Sequence, residues 1–151
     1  VSTTTKETGK RNVNIFTVGE RPEPFSIDTF HYECINIHFD PLNDEHPVEI
    51  VDKACKNVDK NTKVILKVDG YVNCTKFDLN EKKIQDEIDK KLGKFIEGVA
   101  QYKFKDVSKI LEDDIFKRFI QKLDAKNIDM NKRQGYIDLL ISAFSQEKSR
   151  G

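Results

Sequence analysis

The chain has 151 residues, the size of one domain or of one domain with an appendage. Lys+Arg and Asp+Glu each total 26, so the net charge is zero, which excludes a strongly basic nucleic-acid binder but leaves room for a local basic patch. Hydrophobic residues make up 37% and include ten Phe, too many for a disordered chain, while no apolar run is long enough for a membrane span and nothing at the start reads as a signal peptide.

The zero is unevenly distributed. Residues 21–60 hold four basic and nine acidic groups, a balance of −5, and residues 101–151 hold eleven and eight, a balance of +3. The three cysteines, Cys34, Cys55 and Cys74, form no C-x-x-C pair and suit a reducing compartment, cytoplasmic or nuclear. Asn73-Cys74-Thr75 spells a glycosylation sequon, read here as coincidence because no secretory signal accompanies it.

In chain order, residues 1–12 are a polar lead-in. Val13, Ile15 and Thr17 alternate with their neighbours as a strand does, residues 19–24 supply turn chemistry, and Phe25 and Ile27 resume the alternation, predicting a hairpin. Ile35, Ile37 and Phe39 mark a further strand. Pro47 suits the first turn of a helix whose Val48, Val51, Cys55 and Val58 share one face. Val64, Leu66 and Val68 predict a strand closed by Gly70; Asp78 and Glu81 resemble a capping box ahead of Ile84, Ile88 and Leu92; Ala100, Tyr102 and Phe104 alternate once more.

Residues 33–105 therefore read as β-α-β-α-β. Beyond Ser108 two helical stripes follow, one through Ile115, Phe116, Phe119, Ile120 and Leu123, the other through Ile137, Leu140, Ile141 and Phe144 with Asn131 as its N-cap. The expected fold is α+β: a small open sheet with an N-terminal hairpin over 13–106, then a two-helix hairpin over 107–151.

Chemistry is sparse. Neither glycine-rich phosphate motif occurs, and no serine or cysteine sits in a nucleophile signature. His31 and Glu33 share strand parity and His38 does not, a poor start for a metal site that needs three protein ligands. Asp44-Glu45-His46 spells the D-x-H of metallophosphoesterases, but no G-D, G-N-H or G-H-x-H follows, so Asp44 reads as loop polarity. Lys90, Lys91 and Lys94 complement a helix C-terminus. The candidate phosphate contacts are Lys10 and Arg11 in the polar lead-in and Lys132 and Arg133 at the start of the last helix. The candidate docking residues are Phe116, Phe119, Ile137, Leu140, Ile141 and Phe144, weighed against a role in the core.

The order of these elements is similar to a known family. A polar Thr/Glu/Gly/Lys segment leads into Val13, Ile15 and Val18; Ile35-Asn-Ile-His-Phe-Asp40 ends in an acid; Val64-Ile-Leu-Lys-Val-Asp-Gly70 follows a short helix; and Leu111-Glu-Asp-Asp-Ile-Phe-Lys-Arg-Phe-Ile120 is an acidic helix. Over residues 3–125 this resembles the region after the phosphoesterase domain of SbcD-type DNA repair exonucleases, the meiotic-recombination-eleven family. The resemblance implies a capping domain that orients DNA, and C-terminal helices that dock on an SbcC-type coiled-coil ATPase. It also implies manganese and a homodimer contact only in a catalytic domain that this stretch lacks. The polar start at Val1, without Met, then reads as a cut end. Two other classes stay open: a stand-alone interaction module, and a small metal enzyme using His31, Glu33 and His38.

Overall fold

The computed structural model describes residues 8–59, 61–95, 98–126 and 128–148, with side chains as far as residue 146. Strand β1 (Arg11–Ile15) pairs antiparallel with β2 (Glu23–Ile27) in a separate two-stranded sheet, with Val13 opposite Phe25. The alternation sorts Val13, Ile15 and Phe25 to one side of this ribbon and Asn12, Asn14 and Ser26 to the other. The turn passes through Gly19 at φ +94°, which only glycine adopts without strain.

The larger sheet is parallel. β3 (His31–Phe39), α1 (Pro47–Ala54), β4 (Thr62–Val72), α2 (Glu81–Leu92), β5 (Val99–Tyr102) and β6 (Lys105–Asp106) follow in order. β4 is central, with β3 along one edge and β5 then β6 along the other. Register places Ile35 beside Leu66 and Ala100, and Ile37 beside Val68 and Tyr102. These residues face α1 and α2, and with Val48, Val51, Ile84, Ile88 and Leu92 they make the first core. Burial of a large aliphatic side chain stabilises by roughly 1.5–3 kcal/mol, and the continuous run Val64, Ile65, Leu66 marks β4 as the most buried strand.

Local details depart from sequence expectation at the helix starts. His46 caps α1, its Nδ1 accepting from the Val48 amide at 3.3 Å. The capping box at Asp78 does not form. Asp78 sits in the left-handed region (φ 52°), Asn80 caps α2 by accepting from the Lys83 amide at 2.9 Å, and Glu81 accepts from the Asp106 amide at 2.6 Å. The side chain expected to reach back to its own cap is used instead to hold β6.

Three helices follow, α3 (Ser108–Leu111), α4 (Asp114–Asp124) and α5 (Met130–Lys148). Asp113 caps α4 by accepting from the Ile115 amide. α5 begins one residue before the expected cap: Asp129 accepts from the Asn131 amide at 3.0 Å, and Asn131 is already helical. Val107, Ile110, Phe116, Leu123, Ile137 and Ile141 form a second core, joined by Leu42 and Tyr71 from the α/β unit.

The two cores meet at Asp106. Its Oδ1 accepts from the Cys74 amide (3.2 Å) and from the Ser108 amide and hydroxyl (3.0 and 2.5 Å), while the Thr75 amide donates to Ser108 Oγ at 3.1 Å. Burial raises the Asp106 carboxyl, but the Ser108 and Cys74 hydrogen bonds outweigh it and hold the group below the usual range.

Candidate functional site

A parallel sheet ordinarily has helices on both faces. Here α1 and α2 cover one face. The other face carries Tyr32, Cys34, Asn36 and His38 from β3, Lys63, Ile65, Lys67, Asp69 and Tyr71 from β4, Val99 and Gln101 from β5, then Lys103 and Lys105. Among the described residues no helix covers its N-terminal half. There Thr8, Tyr32, Cys34, Ile65, Lys67, Val99 and Gln101 line a cleft of about 510 Å³. At the C-terminal end α5 forms the wall of a second cleft, about 600 Å³, lined by His38, Tyr71, Lys103, Lys105, Asp138 and Ser142 among others.

The charges on this face are unequal. Lys67, Lys103 and Lys105 are exposed, and no carboxylate pairs with them among the described residues. The Lys63 ammonium stands 5.7 Å from the centre of the Tyr32 ring. The acids, Asp69 and Asp138, are turned to His38, whose Nδ1 is 2.7 Å from Asp69 Oδ1 and whose Nε2 is 3.3 Å from Asp138 Oδ2. This contact ties β3, β4 and α5 together. Burial and the nearby Asp138 push the Tyr71 hydroxyl up, so it stays a neutral hydrogen-bonding group.

The basic residues singled out in the sequence are dispersed. Lys10 lies 3.8 Å from Asp59, and Arg11 begins β1. Arg133 is occupied within the helical arm, donating to Asp124 Oδ1 through Nε and Nη2 at 3.0 and 2.8 Å. Lys132 is exposed beside it.

The candidate docking residues divide. Phe116, Ile137 and Ile141 are buried in the second core, with Phe119, Leu140 and Phe144 half-buried at its margin. Besides Met130 at the very start of α5 (81% exposed), the large apolar groups these helices leave in solvent among the described residues are Ile115 on α4 (66%) and Tyr136 and Leu139 on α5 (48% and 69%). Sequence reasoning passed over all three as docking residues. Leu139 follows the buried Ile137 by two positions, which turns it to the far side of the helix, and that offset was the available signal.

His31, Glu33 and His38, the residues weighed as metal ligands, are not brought together. His31 is buried, with Nδ1 3.2 Å from the Thr29 carbonyl and Nε2 3.5 Å from Thr62 Oγ1, and Glu33 is exposed. His38 stands on the opposite sheet face. Among the described residues no three His, Cys, Asp or Glu side chains group as a metal would require. Asp44 pairs with Lys76, whose ammonium holds the carboxyl below its usual range. Burial, with Asp106 and Glu81 nearby, pushes the Cys74 thiol up to about 12, and burial also raises Cys55, so neither is a thiolate nucleophile at neutral pH. Asn73 Oδ1 is engaged by the Lys76 amide at 3.2 Å. Among the described residues no helix is long and apolar enough to cross a membrane.

No family model matches the chain, and neither a curated protein nor a solved structure matches it.

Proposed function

We propose that this stretch is the accessory region of a DNA repair nuclease of the SbcD type it resembles, without catalytic chemistry of its own. It contacts DNA locally and docks through its C-terminal helices on an SbcC-type coiled-coil ATPase. One observation supports this best: α4 and α5 satisfy a core of their own and still present Ile115, Tyr136 and Leu139 to solvent. A helical pair with apolar groups on its outer side suits the side of a coiled coil. Manganese and the homodimer contact belong, on this reading, to a separate catalytic domain. A stand-alone interaction module would use the same outer side but would have no DNA contact.

The test is capture of the purified ATPase. Leu139→Asp and Ile115→Asp are expected to abolish it while leaving the circular dichroism and melting temperature unchanged, because both side chains lie outside the cores. Undiminished capture by both variants would sink the docking assignment.

A further inference from the structure

The sheet face whose N-terminal half no helix covers among the described residues combines two features. Tyr32, Ile65 and Val99 give the first cleft an apolar floor, and Lys67 and Gln101 complete its lining. Lys63 stands over Tyr32, and Lys103 and Lys105 continue the positive charge into the second cleft. Lys63 and Lys67 are on one strand, roughly 13 Å apart at about 3.3 Å per residue, and Lys103 and Lys105 roughly 6.6 Å apart. Lys67 therefore lines the first cleft and Lys103 and Lys105 the second, while Asp69 and Asp138 are turned to His38.

We propose that this face is a track for single-stranded nucleic acid. The phosphodiester backbone lies along Lys63, Lys67, Lys103 and Lys105, and bases enter the cleft over Tyr32, Ile65 and Val99. Charge selects a polyanion. The apolar floor selects one with exposed base faces, because a duplex offers phosphates to the lysines and nothing to the cleft, whereas a single strand supplies both. An acidic peptide would satisfy the lysines and also leave the floor bare. This deepens the nucleic-acid part of the proposed function and rests on it, while moving the contact away from Lys10, Arg11, Lys132 and Arg133.

The probe is a fluorescent twelve-residue oligothymidylate, followed by anisotropy across a salt series, with the matching duplex and a poly-glutamate peptide as competitors. Lys67→Gln/Lys103→Gln/Lys105→Gln removes three exposed ammonium groups that no carboxylate pairs with among the described residues, so the fold is expected to survive. The triple variant should bind at least roughly tenfold more weakly near 100 mM salt. Its log–log salt slope should fall by about 2, because each phosphate that a lysine neutralises on a single strand adds about 0.7 to that slope. Val99→Asp should weaken the single strand further, and the unlabelled duplex should compete less well than the unlabelled single strand. Unchanged binding by the triple variant, together with loss in a Lys10→Gln/Lys132→Gln variant, would overturn the track and leave the DNA reading standing. No binding of any oligonucleotide at low salt would overturn both. Stronger competition by poly-glutamate than by the single strand would assign the face to an acidic protein instead.

Discussion

Two pieces of β structure in this molecule begin from the same sequence signal and end differently. β1 and β2 alternate apolar and polar residues as cleanly as β3 does, yet Val13, Ile15 and Phe25 stay 45–59% exposed, while Ile37 and Phe39 are buried. The difference lies in what covers them. The crossovers between β3, β4 and β5 are themselves helices, so the connections that join the strands also supply the layer above them. The hairpin is closed by a turn, which joins strands and covers nothing. Alternation thus reports which side of a strand is apolar, and topology decides whether that side is dry.

The largest way to test this contrast is to delete equivalent bulk from both pieces. Leu66 is fully buried between α1, α2 and the neighbouring strands. Leu66→Ala is expected to cost about 2–5 kcal/mol in urea denaturation, the transfer and cavity cost of such a deletion. Phe25→Ala removes more atoms from the ribbon and is expected to stay within about 0.5 kcal/mol, as exposed substitutions do. A loss above about 2 kcal/mol at Phe25 would mean that the ribbon's apolar side is covered, and the comparison would fail.

Gly70 should come next. It lies at φ +94°, and a Cβ there would meet the Phe39 carbonyl oxygen at 2.4 Å and its nitrogen at 2.8 Å. Both obstacles are backbone, so neither can swing away. Gly70→Ala is expected to cost about 1–3 kcal/mol through strain at an unfavourable dihedral, measured by thermal unfolding. Gly19 has the same φ with open space around it, so Gly19→Ala feels the dihedral without the clash and should cost less. Equal losses at the two sites would show that the approach to Phe39 is unimportant.

A good part of the fold was legible in the sequence. The β-α-β-α-β order and the two C-terminal helices follow from apolar spacing alone, because period two and period 3.6 are well separated over windows of this length. The caps were less legible. Asp78, Asn80 and Glu81 are all acceptable near a helix start, and the choice fell to Asn80 because Glu81 meets the Asp106 amide, a partner 25 residues away. The site was the least legible. Lys63, Lys67, Lys103 and Lys105 are separated by up to 42 positions, and only the parallel register of β4 with β5 and β6 brings them to one face. The apolar stripes of α4 and α5 pointed to the second core, and a core stripe and a docking stripe look the same before partners are known.

The Asp106 junction sets a smaller effect and a pH limb. Its carboxyl is held below the ordinary value of 3.8 in the folded chain by the Ser108 and Cys74 hydrogen bonds. A depressed folded-state value contributes stability that is fully present above 3.8 and lost as the pH falls through the lower folded value. Asp106→Asn should therefore cost roughly 1 kcal/mol at neutral pH, the net worth of an ordinary hydrogen bond, and should flatten the decline in melting temperature below pH 4. An acid limb identical to that of the parent chain would assign the decline to other carboxylates.

The smallest effect is expected at Asp44, and its smallness is informative. Lys76 holds the Asp44 carboxyl below its usual value by hydrogen bond first and charge second, whereas at Asp106 burial pulls upward and the uncharged Ser108 and Cys74 groups outweigh it by hydrogen bonds alone. The two shifts agree in direction, but the Asp44 side chain is 95% exposed and water competes for both partners of the pair. Asp44→Asn should leave the melting temperature and its acid limb unmoved. A measurable loss there would mean that the loop between β3 and α1 is packed against something the sheet's own layers do not supply, and the rule that the connecting helices provide the cover would need a second covering element.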